Sequence, residues 1–331
     1  MSGAAALLGL APVACFLGCL VLLDSYKLVR PRLVLGVVGA GMAVAGLAYV
    51  ANGALQQAGM GPATLSRYAA PLVEEVLKGL VIVVLVRANR VGFLVDAAIV
   101  GFAVGTGFAL VENLHYLWMY PDAGLGTWVV RGFGTALMHG GASALFALLG
   151  LAFADRGWRE LGYVPGLALA VALHSAFNHF AVSPWLSAAG ITLVLPPLLY
   201  GVFERSERAV GQWLGKGFDA DAEMLELIQT GRISDSPVGR YLHSLKDRFA
   251  GAVVADVLCY VRLHTELALR AKGILIMREN GFEAEVDEST RAKFAEMAYL
   301  EASIGRTGLL AIQPVLHMSP RDLWQMYMLG K

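Results

Sequence analysis

Apolar residues dominate the first 203 positions in long stretches, at roughly 3–23, 33–54, 69–86, 91–116, 127–154, 162–182 and 184–203. About 20 mostly apolar residues cross the hydrocarbon core as a helix. The pattern therefore predicts an all-α fold, a polytopic membrane helix bundle of about seven spans. The third stretch is short and polar, so hydropathy alone underrates it. Arg30-Pro31-Arg32, Pro121-Asp122-Ala123-Gly124 and Ser183-Pro184 punctuate the boundaries. The first stretch has no basic residues before it, and Lys27, Arg30 and Arg32 follow it, so it reads as a retained span.

The pattern changes at Glu204-Arg205-Ser206-Glu207-Arg208. Residues 1–203 hold 10 Lys+Arg and 8 Asp+Glu, whereas residues 204–331 hold 16 and 18. This predicts a transmembrane domain over 1–203 and a soluble, mainly helical domain over 204–331. Basic residues mark every second connection: Lys27, Arg30 and Arg32; Arg87 and Arg90; Arg156 and Arg159; Arg205 and Arg208. The other connections contain only Arg67. Cytoplasmic loops carry such an excess, so an integral protein of the cell membrane is expected, with the N-terminus outside and the tail in the cytoplasm. Deleting the polar third span would break this alternation.

Across the whole chain the residues are 57% hydrophobic and 16% charged, with zero formal net charge. That excludes an ordinary cytosolic enzyme and disorder, and it argues against a nucleic-acid partner. Cys15, Cys19 and Cys259 form no disulfide framework or zinc module.

The few polar residues inside the spans carry the chemistry, because a charged side chain costs roughly 2.5–3.5 kcal/mol at the bilayer centre and asks for a reason. The third span holds Glu74, Glu75 and Lys78, the fourth ends with Phe108, Glu112 and Asn113, the fifth holds His139, and the sixth holds His174 and Asn178. At about 1.5 Å per residue, Glu75, Glu112, His139 and His174 all lie in the outer half of the bilayer although the chain alternates direction. Lys78 shares a helix face with Glu74 and Glu75, and His174 one with Asn178. Ala97, Gly101 and Gly105 permit close helix approach. One shared site is predicted.

Glu-Glu-Val-Leu-Lys, Phe-x-x-x-Glu-Asn and His-x-x-Phe-Asn, in that order over residues 65–182, resemble the PrsW family of intramembrane proteases. That family is similar to the group of CAAX prenyl endopeptidases and bacteriocin-processing enzymes. The wider group usually has His where Glu112 stands, whereas Phe-x-x-x-Glu-Asn matches the PrsW branch. The resemblance implies a membrane-anchored protein substrate, cleaved near the outer face, and in the PrsW family a signalling role.

Two chemistries stay open. In the favoured one no cofactor is required: Glu75 acts as base, Lys78 holds Glu74, His174 and Asn178 stabilise the oxyanion, and His139 orients water. Phe108, Glu112 and Asn113 shape the site. In the other, Glu112, His139 and His174 form an open three-ligand site for zinc, and Glu75 is the base. The chain has no HExxH. A secondary transporter using the carboxylates as ion sites, and a non-catalytic scaffold, are the competing classes. Arg131 reads as a snorkelling residue, Asp96 as lying near the cytoplasmic interface, and Tyr116, Trp118, Tyr120 and Trp128 as an outer aromatic belt. In the tail, Gly231 is expected to end a segment begun near Asp219. Ser236-Pro237 is expected to start a long helix reaching toward Gly281, and Ser319-Pro320 the last one. His243, His264 and His317 show no ligand pattern. The tail suits a regulatory role with a cytoplasmic protein partner.

Overall fold

The computed structural model describes residues 2–282, 286–316, 324–326 and 329, and among these every regular element is helical. The chain divides into two compact units, Met1–Glu207 and Arg208–Lys331. The first contains α1 (Gly3–Leu23), α2 (Pro31–Gln57), α3 (Ala70–Arg87), α4 (Leu94–Met119), α5 (Leu125–Phe153), α6 (Tyr163–Asn178) and the beginning of α7 (Pro184–Gln229). Five of these, α1, α2, α4, α5 and α7, are long and apolar enough to cross a membrane. The other two, α3 and α6, are shorter or more polar, and they carry Glu74, Glu75, Lys78 and His174. Polar groups survive in such a bundle when they face its interior.

The central helix is α4, which packs most extensively against α5 and α2 and is buried continuously from Val95 to Ala109. Its glycines allow this. A Cβ at Gly105 would lie 2.2 Å from the His139 carbonyl oxygen, and one at Gly101 would lie 2.5 Å from that of Ser143. Backbone of α5 thus rests directly on α4, which fixes His139 beside Phe108. Gly105→Ala should therefore lower stability by about 1–3 kcal/mol through overpacking. A fall in melting temperature of the purified protein, with reduced activity, is the expected readout.

The charged ends of the spans are anchored locally. Asp96, expected near an interface, is fully buried and accepts the Gly92 and Phe93 N–H groups at 2.9 and 3.2 Å, capping α4. Asp24, after α1, accepts the Val29 N–H at 3.1 Å. Burial pushes its carboxyl up to about 6 against the opposing pull of the Val29 and Leu28 N–H groups and Lys27. A carboxyl raised in the folded state stabilises it fully below about pH 4, and this contribution is lost as pH rises through about 6. Relative to Asp24→Asn, wild type should lose on the order of 2–3 kcal/mol across that window, read as a wild-type melting temperature that falls away from that of the variant as pH rises.

Two tail expectations change. The segment ending at Gly231 (φ +73°) does not begin near Asp219, because α7 runs unbroken from Pro184 to Gln229 through the charged run 204–208. Ser236 does cap a helix, its Oγ accepting the Gly239 N–H at 3.0 Å, but that helix, α8, spans only Pro237–Ser244. Arg248 and then the extended Ala250 leave helical geometry, and α9 (Gly251–Glu279) starts afresh. The break brings Leu242, Leu245, Val254 and Val257 into one core with Leu300 and Ile304 of α10 (Glu288–Ile312). The expected start at Ser319-Pro320, and His317, lie outside the described residues. Of the expected aromatic belt, Trp118 and Tyr120 are exposed, whereas Trp128 is buried against Ala5 and Leu117.

Candidate active site

The buried face of α3 presents Glu74, Glu75 and Lys78, while Leu80 and Val84 on the same helix are exposed. This is the inverse of a soluble helix, as a lipid-facing span requires. Lys78 Nζ lies 2.6 Å from Glu75 Oε1 and 3.2 Å from His139 Nδ1, and its side chain is 1% exposed. His174 Nδ1 lies 2.8 Å from the same Glu75 oxygen. His139 Nε2 reaches Glu112 Oε2 at 3.1 Å. The two imidazoles meet edge to face, centroids 4.7 Å apart. Phe108 covers this group, 4.9 Å from the His139 ring with the Lys78 ammonium 4.8 Å over its face.

Lys78 reaches Nδ1 and Glu112 reaches Nε2 of His139, with donor and acceptor roles set by the ring's tautomer, and a metal at this ring would take the place of one of these two contacts. Glu75, an acceptor, takes the Nδ1–H of His174 and leaves Nε2 of that ring as a lone pair. That lone pair faces Glu74 Oε2 at 3.8 Å, too long for a hydrogen bond.

Arg131 is the principal correction. It does not snorkel outward: Nη2 lies 3.2 Å from Glu112 Oε2, Nε donates to Asn113 Oδ1 at 2.9 Å, and the guanidinium stacks 3.7 Å over Tyr116. Asn113 in turn donates to the Gly9 carbonyl at 2.7 Å, so it reaches the site through Arg131. Asn178 is not brought into the cluster. Its Nδ2 donates to the Ser66 carbonyl at 2.9 Å, and Ser175 Oγ donates to that of Arg67 at 2.5 Å. Both acceptors lie in the π-helical turn Leu65–Ala69 before α3. A second π turn, Arg131–Ala136, lies within α5, and its Phe133 carbonyl accepts from Thr192. Each turn frees carbonyls from the regular ladder, and a neighbouring helix satisfies them.

Asn52 of α2, missed in the sequence, donates from Nδ2 to Glu74 Oε1 at 3.0 Å. A signal for Asn52 and Arg131 existed: both lie near the outer ends of their stretches, level with Glu112.

Among the described residues, Glu74, His139 and His174 offer ligand atoms that all lie within 4.8 Å of one another. Glu74, rather than Glu112, completes this group, because Glu112 is drawn toward Arg131. Two imidazoles and a carboxylate suit a divalent metal. Glu75 behind His174 Nδ1 supplies the carboxylate support that ligating imidazoles carry. The donor set fits a metal.

A membrane helix bundle enclosing a buried carboxylate–histidine group of this kind suits an intramembrane hydrolase. Residues 30–202, more than half of the chain, match the PrsW family intramembrane metalloproteases, and the chain belongs to that family. It is an integral membrane protease whose substrates are membrane proteins. No curated protein and no solved structure matches the chain.

Proposed function

We propose that the chain is a zinc-dependent endopeptidase that cleaves a membrane-anchored protein near the extracytoplasmic face, within a proteolytic signalling step. The observation that carries this reading is the Glu74–His139–His174 group, with Glu75 holding the His174 ring. The metal-free scheme favoured from the sequence gives way to it, because the family is described as metalloproteases and the donor set suits a metal. Bound zinc would supply a water of lowered pKa and polarise the scissile carbonyl.

The chain's own residues would divide the remaining work. Glu112, whose side chain is 26% exposed against 1% for Glu75, takes the water proton and returns it to the leaving amine. Arg131, paired with it at 3.2 Å, holds it in place. Glu75, expected as the base, holds His174 instead, and Lys78 joins Glu75 to His139. The basic loops support an outside N-terminus and a cytoplasmic tail in the cell membrane, and the charged second unit would bind a cytoplasmic protein partner.

The test is cleavage of a single-span reporter protein in reconstituted vesicles. Wild type should release two fragments, and Glu75→Gln should do so about a hundredfold more slowly. Intact reporter with both, together with ion-driven uptake that needs the carboxylates, would make the chain a carrier instead.

A further inference from the structure

A cavity of about 620 Å³ lies beside the site, walled by α2 and α4, and Glu74 and Glu112 both reach it. Ala45, Gly46 and Ala48 leave room on the α2 wall, and Tyr49 and His115 meet across it, rings 5.3 Å apart. Asn52 lines the same wall. Its Nδ2 is committed to Glu74, and because a carboxylate only accepts, the amide orientation is set. Its Oδ1 is buried with no hydrogen-bond partner. Such orphaned acceptors are rare and ask for a reason.

A donor must come from whatever enters. A substrate helix has none to give from its interior, since every N–H there is bonded to its own carbonyls. An unwound stretch of chain offers free N–H groups, and in hydrocarbon those groups need acceptors before unwinding is affordable at all. The cavity supplies one beside a candidate ligand carboxylate.

We propose that this groove is the substrate-chain subsite: it holds an unwound stretch of a membrane protein's backbone beside Glu74, with Asn52 Oδ1 accepting a substrate N–H. This rests on the peptidase reading and adds which form of the substrate the site grips, and with what. Asn52 then both positions Glu74 and binds substrate.

The experiment uses the full chain in vesicles and synthetic single-span peptides in which each backbone amide around the scissile bond is replaced in turn by an ester. One ester should slow wild type about tenfold. The same ester should slow Asn52→Ala no further, although that variant is already slower on the all-amide peptide. Gly46→Trp, at a groove position where an added side chain meets open space, should raise KM with its melting temperature retained. Esters without effect on wild type, or equal slowing of wild type and Asn52→Ala, would overturn the assignment and leave Asn52 a prop for Glu74 beside a water-filled vestibule. If wild type and Glu75→Gln alike cut no peptide, the peptidase reading itself fails and the groove assignment falls with it.

Discussion

His174→Ala is expected to slow peptide-bond cleavage by about a thousandfold, roughly 4 kcal/mol of transition-state stabilisation. Both ring nitrogens are in use: Nδ1 is held by Glu75 at 2.8 Å and Nε2 is turned to Glu74 at 3.8 Å. The variant removes a candidate ligand, the partner of Glu75 and the edge-to-face contact with His139 together. Glu75 keeps Lys78, so the fold should persist with a melting temperature lowered by several degrees. Metal content should fall in step with activity. His174→Gln, which restores some polarity but not an imidazole, should recover stability without activity. Normal turnover in either variant would remove His174 from the reaction.

The second large effect is on folding. Lys78 and Glu75 form an ion pair with both side chains 1% exposed. Removing one member of a buried pair strands the other charge, at a cost of about 3–5 kcal/mol. Lys78→Met should therefore abolish accumulation of folded protein or lower its melting temperature steeply. Lys78→Met combined with Glu75→Gln should recover most of that loss, because a neutral amide no longer needs the ammonium. Activity should stay low in the double variant, since the Gln no longer holds His174 through a carboxylate. Two single losses that simply add would show that the pair is not coupled.

The site was legible where depth sufficed to read it. Glu74, Glu75, Lys78, Glu112, His139 and His174 are polar in apolar stretches, and the shared outer-half depth of Glu75, Glu112, His139 and His174 follows from counting residues along alternating spans. The structure links Glu75, Lys78, Glu112, His139 and His174 through contacts of 3.2 Å or less and leaves Glu74 3.8 Å from the His174 ring. Depth says nothing of rotation, however, and rotation decided the rest. Asn178, one turn from His174, points to the π turn at Leu65–Ala69. Arg131 turns inward because the start of α5 includes its own π turn and because Glu112 and Tyr116 face it. Composition cannot distinguish that from snorkelling. In the tail, Gly231 and Ser236 were readable as stop and start signals. The break near Arg248 was not, since only the shared core with α10 explains it.

Glu74, His139 and His174 are proposed to hold a divalent metal needed for proteolysis inside the membrane. The most direct test is elemental analysis of the purified full-length protein alongside reporter cleavage, before chelation, after chelation and after zinc is returned. One metal per chain, lost with activity and restored with it, and lost in Glu74→Gln and His139→Ala, is the predicted result. Full cleavage by protein carrying no stoichiometric metal would exclude a role for the metal in proteolysis.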